Sequence, residues 1–519
     1  MIGMTAERWG YGEGTGGSNI NSAFSDFKHA WLSNTPTIYP TNTTLWGAPS
    51  GKGALVSYFG RVNYDYDSRY MATFILRADG SSNFAPGHRW GYFPSASIGW
   101  NLASEKFMES QRSWLDQFKL RASWGRNGNC NINNFQYLTT IAIGGANYFF
   151  GSNHLDKVTG SFPDKIANTD ITWEKSEQFD IGFDSRFLHS RLGVIFDYYN
   201  KITKDWLVVA PILASYGTGA PMINGGDVRN RGVELALSWD DHAGDFTYGA
   251  TVNMDYNENE VTRLANDEGI INGSTEILSS RTDYISRVQV GHPIGFFYGY
   301  KTDGVFQNEA EINAYRNAAG GLICPTAKPG DMRFVDTNGD GSITDADRVE
   351  IGNPHPDFNL GVNINLGYKG FDLSVSGVGA FGQQIAKSYR DFSDKGKDSY
   401  TMDVIKNRWH GEGSSNRYPR LSITPSENNW NRISDIYVED GDYFRISNIS
   451  FGYDFKYLWE RCPFQRLRAY ATMQNLCTFT KYSGTDPEVG YGGDSWATGI
   501  DTGRYPVSRT FLLGVNITF

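Results

Sequence analysis

Along most of this chain, apolar side chains recur at every second position. The final ten residues, Thr510 to Phe519, show it most plainly: Phe511, Leu513, Val515, Ile517 and Phe519 share one face, with Leu512, Gly514, Asn516 and Thr518 on the other. Successive side chains of a strand point to opposite faces, so this segment pairs a greasy face with a small or polar one. That suits a membrane strand between lipid and a hydrated lumen. The same alternation sets Tyr58, Gly60, Val62, Tyr64 and Tyr66 against Phe59, Arg61, Asn63 and Asp65. After a turn at Asp67-Ser68 it resumes through Tyr70, Ala72, Phe74 and Leu76. Phe179, Ile181 and Phe183, answered by Leu192, Val194, Phe196 and Tyr198, form another such hairpin.

Strands are expected near 54–66, 69–79, 91–103, 117–126, 173–186, 190–202, 229–240, 244–257, 284–290, 295–302, 358–368, 371–383, 442–455, 464–475 and 505–519. The links between them mostly alternate short with long: 67–68 then 80–90, 187–189 then 203–228, 241–243 then 258–283, 369–370 then 384–441. Outer-membrane barrels keep short turns on the periplasmic side and long loops outside, and the link 104–116 is the one moderately long periplasmic exception. The fold class is therefore all-β, an antiparallel transmembrane β-barrel. About fifteen strands is an odd number where single-chain barrels use even ones, so further strands are expected on the N-terminal side.

Composition leaves this picture standing. The chain has 519 residues, 39% of them hydrophobic, and no run approaches the roughly 20 apolar residues of a spanning helix. Aromatics reach 15%, with 30 Tyr and 14 Trp, which fits interfacial girdles but also a carbohydrate-binding β-protein. A net charge of -10 and the lack of a basic stripe exclude nucleic acid as a partner. Cys130, Cys324, Cys462 and Cys477 have neither metal-ligand spacing nor the density of a disulfide framework. Met1-Ile2-Gly3-Met4 does not open a signal peptide.

The sharpest chemical constellation is the run Asp336 to Asp347. Asp336, Asn338, Asp340, Ser342, Thr344 and Asp347 occupy positions 1, 3, 5, 7, 9 and 12 of a calcium loop, with Gly341 at the sharp turn and Ile343 packing inward. Asp347 stands where a bidentate Glu is usual, so the site would be weaker or six-coordinate, and the flanks are loop rather than paired helices. The competing interpretation is a metal-free loop of Asx turns. Catalysis finds no footing: His residues are scattered, H-E-x-x-H, G-x-S-x-G and P-loop motifs are missing, and Asp486-Pro487-Glu488 suits a turn. The glycine-rich run Trp9 to Gly17 neither follows a strand nor opens a helix, and fits an exterior loop. Trp206, Tyr216, Trp409, Trp430, Tyr491 and Trp496, with Tyr148, Phe149 and Phe150, fall in exterior loops. They are candidates for stacking on cargo or packing against a partner.

Several phrases resemble the C-terminal half of the SusC-like (SusC/RagA) TonB-dependent outer-membrane transporters of Bacteroidetes. They are the runs Thr172 to Gly182 (TWEKSEQFDIG), Asn230 to Glu234 (NRGVE) and Gly295 to Gln307 (GFFYGYKTDGVFQ). Towards the end come Glu439 to Asn448 (EDGDYFRISN), Gln474-Asn475-Leu476, Lys481 to Glu488 (KYSGTDPE) and the terminal Phe519. The resemblance implies a barrel of about 22 strands plugged by an N-terminal domain. It also implies a TonB contact from upstream sequence, a SusD-like surface lipoprotein as lid, and import of an oligosaccharide or peptide across the cell outer membrane. On this reading residues 1–53 are an exterior-loop segment and 54–519 the C-terminal barrel, with Phe511 to Phe519 as its assembly signal, lipid as a partner, and no enzymatic activity. Plug, TonB box and first strands are expected to be missing. The rival is a soluble, secreted β-rich protein that binds or cleaves glycans; a barrel serving adhesion or assembly without transport is a third.

Overall fold

The computed structural model describes residues 1–10, 13–19, 26–29, 43–49, 52–151, 156–210, 212–279, 282–389, 400–422, 429–459, 461–490, 493–503 and 505–519. One 14-stranded sheet dominates. Its strands are β1 (Ile2–Trp9), β2 (Gly53–Tyr66), β3 (Tyr70–Ser81), β4 (Trp90–Asn101), β5 (Leu115–Asn129), β6 (Glu174–Phe187) and β7 (Leu192–Lys204). They continue as β8 (Gly226–Ala243), β9 (Phe246–Leu264), β10 (Phe358–Tyr368), β11 (Phe371–Phe381), β12 (Tyr443–Asp454), β13 (Arg466–Thr480) and β14 (Thr510–Thr518). Each pairs antiparallel with the next, and β1 and β14 are the edges.

The outward face is as apolar as the alternation required. Phe511, Leu513 and Val515 are 65%, 89% and 61% exposed, so no second layer among the described residues covers them. A soluble sandwich would bury these side chains, whereas hydrocarbon suits them. The face can be followed across the sheet in register: Tyr64 opposite Ala72, Ala72 opposite Ile98, Ile98 opposite Ala122, Ala122 opposite Ile181, and Ile181 opposite Tyr198. The inward face is polar. Asn363 donates to Ser376 at 3.2 Å, Thr472 to Ser450 at 3.1 Å, and Arg468 pairs with Asp372.

Short turns gather at one end of the sheet. Arg69 N donates to the Tyr66 carbonyl at 3.0 Å across Asp67 and Ser68, both with positive φ, the geometry that matches strand twist in a tight hairpin. Lys369-Gly370 makes the same kind of turn, Gly370 taking φ 89° without a Cβ penalty. The link 102–114 at this end carries two 3-10 turns, Leu102–Ser104 and Lys106–Gln111.

Two expectations need correction. Residues 1–53 were expected to lie wholly outside the sheet, but Ile2–Trp9 pairs with β2 over eight positions, Ile2 opposite Gly60 through Trp9 opposite Gly53. Conversely, 284–290 and 295–302 do not cross the sheet. Their strands, Ser286–Gln289 and Phe296–Gly299, belong to a separate four-stranded sheet with Ile270–Asn272 and Val349–Gly352. Phe296 and Phe297, adjacent in sequence and so on opposite faces, are 1% and 0% exposed. A strand covered on both sides belongs to a folded core, not to a wall facing lipid.

That core lies among the long links at the other end of the sheet. Leu278, Phe297, Val305, Met332, Tyr389, Tyr418, Trp430, Tyr437 and Ile500 pack into a single cluster. It draws on the links 265–357, 382–442 and 481–509, here called the cap. Gln384–Lys387 pairs with Val438–Asp440 on one side and, in parallel, with Ile500–Asp501 on the other, fastening the last link to the middle one.

Candidate functional site

The acidic loop sits in the cap between Met332–Phe334 and Val349–Gly352, and its last residues form a 3-10 turn, Asp345–Asp347, rather than a helix. Oxygens of Asp336, Asp340 and Asp347 lie within 4.8 Å of one another. Asp336 accepts from the amides of Gly339 and Gly341, both at 2.7 Å. Asp340 accepts from Ser342 N at 2.9 Å. Asp347 is fully buried and accepts from the amides of Thr337 at 2.9 Å, Asn338 at 3.3 Å and Thr344 at 2.7 Å. Burial pushes the Asp347 carboxyl up, but these amides outweigh it and hold the group below the ordinary range. Asp336 takes one amide on each carboxylate oxygen and Asp340 one amide on Oδ1, so these two groups keep acceptor directions for a cation, whereas Oδ1 of Asp347 already accepts two amides. Asn338 turns its amide nitrogen to Asp340 at 3.1 Å and would have to rotate to offer its oxygen. Ile343 packs against two hydrophobic clusters, and Asp345 accepts the Tyr300 hydroxyl at 2.9 Å, so the loop is joined to the cap core.

The aromatic candidates separate by burial. Trp430 is 5% exposed and packed among Tyr389, Tyr400, Tyr418 and Tyr437, so it serves the cap core and offers no ring to a ligand. Trp206, Trp409 and Trp496 are half-buried against hydrophobic clusters. Trp409 lies flat on Gly330, where a Cβ would come within 2.3 Å of its ring. Tyr216 is 63% exposed, and Tyr491 falls outside the described residues. Tyr148, Phe149 and Phe150, on the strand Ile141–Phe150 of an exterior hairpin, are all exposed.

A buried ionic clamp was not singled out from sequence, although Glu439, Tyr443, Arg445, Ser483, Asp486 and Glu488 lie in the phrases quoted above. Glu439 accepts the Tyr389 hydroxyl at 2.5 Å and both the amide and hydroxyl of Ser483, at 2.9 and 2.8 Å, beside Lys387 and Arg417. Arg445 on β12, 4% exposed, donates to Asp486 and to Glu488, each at 2.6 Å, while Tyr443 donates to Glu488 at 2.9 Å. The turn Asp486-Pro487-Glu488 is thus anchored to the wall and the link 481–509 held against cap and barrel together. The phrase Gln474-Asn475-Leu476 marks a bulge: Asn475 has φ 52°, the pairing slips between Ile446 and Asn448, and Asn475 donates to the Ser508 carbonyl at 3.1 Å.

Below the cap the inner wall carries an acidic row, Asp197 opposite Glu234 and Glu234 opposite Asp255, ending at Asn359, which donates to Asp255 at 2.9 Å. Arg121 donates to Asp197 and pairs with Asp184, both at 2.9 Å. These groups give the wall a fixed polarity.

The family described as TonB dependent receptor-like, beta-barrel, matches residues 3–476. TonB-dependent receptor P3 of Formosa agariphila is 34% identical over 473 residues, covering 90% of this chain and 45% of that protein. TonB-dependent receptor SusC of Bacteroides thetaiotaomicron is 30% identical over 499 residues, 94% of this chain and 46% of its own length. The chain therefore spans about half the length of these curated relatives. Among solved structures, the RagAB peptide transporter superposes with a TM-score of 0.75 at 21% identity, covering 96% of this chain and 51% of that one, a likeness of fold. A face that suits hydrocarbon, a polar inner face, long links folded into a cap and this match over most of the sequence lead to one conclusion: the chain belongs to the TonB-dependent receptor-like β-barrel family, of SusC-like type, and is an outer-membrane protein.

Proposed function

We propose that the chain is the barrel portion of an outer-membrane importer for an oligosaccharide or peptide, working with a SusD-like surface lipoprotein above the cap and driven by a TonB contact made elsewhere in the protein. The observation that carries this is the folded cap standing over a polar inner wall within a sheet whose outer face suits lipid. That arrangement provides an exterior docking surface and a hydrated passage. No covalent chemistry is assigned to it. The test is uptake. Disrupting the gene should abolish growth on either an oligosaccharide series or a peptide mixture as sole carbon source, a defect reproduced by loss of TonB and rescued by the intact gene. Unimpaired growth on every member of both sets would refute the proposal.

We also propose that Asp336, Asn338, Asp340, Ser342, Thr344 and Asp347 hold a structural calcium ion that stiffens the cap. Three carboxylates converging on one point are supportive, because their mutual repulsion falls when a divalent cation sits among them. Calorimetry should register calcium binding that Asp340→Ala removes. Heat from calcium that is absent, or indifferent to that substitution, would sink the assignment.

A further inference from the structure

We propose that the outward face of β2 to β6 carries a discrete groove that retains one acyl chain of a phospholipid from the periplasmic leaflet. The groove measures about 550 Å³, within the roughly 300–1,000 Å³ of small-ligand sites. Its floor is Ala72 and Ala122, and its walls are Tyr70, Trp100, Leu120 and Ile181. Register explains why it forms here. The row containing Ala72 and Ala122 alternates small with large side chains, whereas the next row towards the periplasmic turns, Tyr66, Tyr70, Trp100, Leu120 and Phe183, is large throughout. A depression beside that bulky row is what remains.

The groove is held open. The Tyr70 hydroxyl and the Trp100 indole N–H both donate to Glu105, at 2.6 and 3.1 Å, and the two rings stack at 6.4 Å with 17° between their planes. Tyr66 stacks on Tyr70 at 6.4 Å. Rings pinned this way do not turn inward to fill the gap, and their polar atoms are already satisfied, which leaves apolar faces to line it. Within a bilayer there is no water to expel, so retention depends on van der Waals fit, and a preformed crevice supplies that where a smooth wall does not.

The occupant follows from where the groove opens. It is continuous with the lipid-contacting face and ends at the girdle beside the periplasmic turns. There the link 102–114 presents exposed Lys106 and Arg112, with exposed Glu109 between them in sequence, next to exposed Phe107 and Trp114. Cations among aromatic rings at that depth suit a glycerophosphate group, with the acyl chain lying in the groove above.

The experiment uses outer membranes containing the full chain, supplied with phosphatidylethanolamine bearing a diazirine midway along one acyl chain. After irradiation, labelled peptides are mapped by mass spectrometry. Labelling around Ala72, Ile98 and Ala122 should exceed that of the more exposed outward face of β14 by about tenfold, equivalent to ~1.4 kcal/mol of preference. It should fall to the β14 level in Ala72→Phe/Ala122→Phe. Both positions open to lipid, and folding is checked by heat-modifiable migration; should that variant fail the check, Ala72→Leu/Ala122→Leu decides in its place. Equal labelling of both faces, or labelling unchanged by the folded variant, overturns the proposal. So do chain-to-chain crosslinks across the groove, which would assign it to a second copy.

Discussion

At the scale of single residues, the cap depends on groups whose value comes from their surroundings. Trp430→Ala would leave a ring-sized void among four tyrosines, and a cost of about 3–5 kcal/mol is expected, measured as a fall in the cap's thermal protease-resistance midpoint. Glu439 has a definite pH signature. Burial works to raise its carboxyl, yet the Tyr389 and Ser483 hydrogen bonds and Lys387 hold it below the ordinary glutamate value. A carboxyl depressed in the folded state adds stability that is complete above the unfolded pKa of about 4.3 and is lost as pH falls through the lower folded value. Protease resistance of the link 481–509 should therefore be flat at neutral pH and drop in the acid range. Glu439→Gln should lower the neutral plateau and flatten that acid slope, and an unchanged profile in the variant would show that Glu439 does not set it. Sequence could suggest the ligand types of Asp336 to Asp347 because spacing encodes them. It could not show that Trp430 is covered, because coverage is decided by links distant in the chain.

At the scale of elements, the alternating pattern carried furthest where one face meets lipid and the other water. Thirteen of the sheet's strands were legible that way; β1 was not, because after Ile2 and Met4 its outward positions are Ala6 and Arg8, which break the apolar run. The segment 284–302 misled for the opposite reason: two apolar stretches with a turn between them imitate a hairpin of the wall, and two crossings leave the parity of long and short links intact. Consecutive burial of Phe296 and Phe297 distinguishes them, and no period-2 count contains it. The bulge at Asn475 was equally hidden. For the wall itself, Leu513→Arg places a cation on the exposed face of β14, and a loss of about 2–4 kcal/mol is expected if the position lies near the bilayer midplane. Heat-modifiable migration of membrane-extracted protein would report it, while Asn516→Arg on the inward face should leave migration nearly unchanged.

At the scale of the whole molecule, cap and barrel are joined through side chains as well as through backbone. Arg445 belongs to the wall and grips Asp486 and Glu488 of the last link; that same link carries Ser483 to Glu439 and Ile500 to the cap core. Arg445→Ala should free the link near Asp486, raising protease cleavage there severalfold while the cap core around Tyr389 stays resistant. Cleavage spreading through the whole cap would show instead that the clamp supports the entire structure.

Because the hydrophobic nucleus of that domain is assembled from three stretches interrupted by wall strands, none of them completes it alone, and the last contribution arrives with Ile500. The nucleus is complete only when all three stretches have met, which pairing of the intervening wall strands brings about. In a pulse-chase, heat-modifiable migration should therefore precede protease resistance of the surface domain.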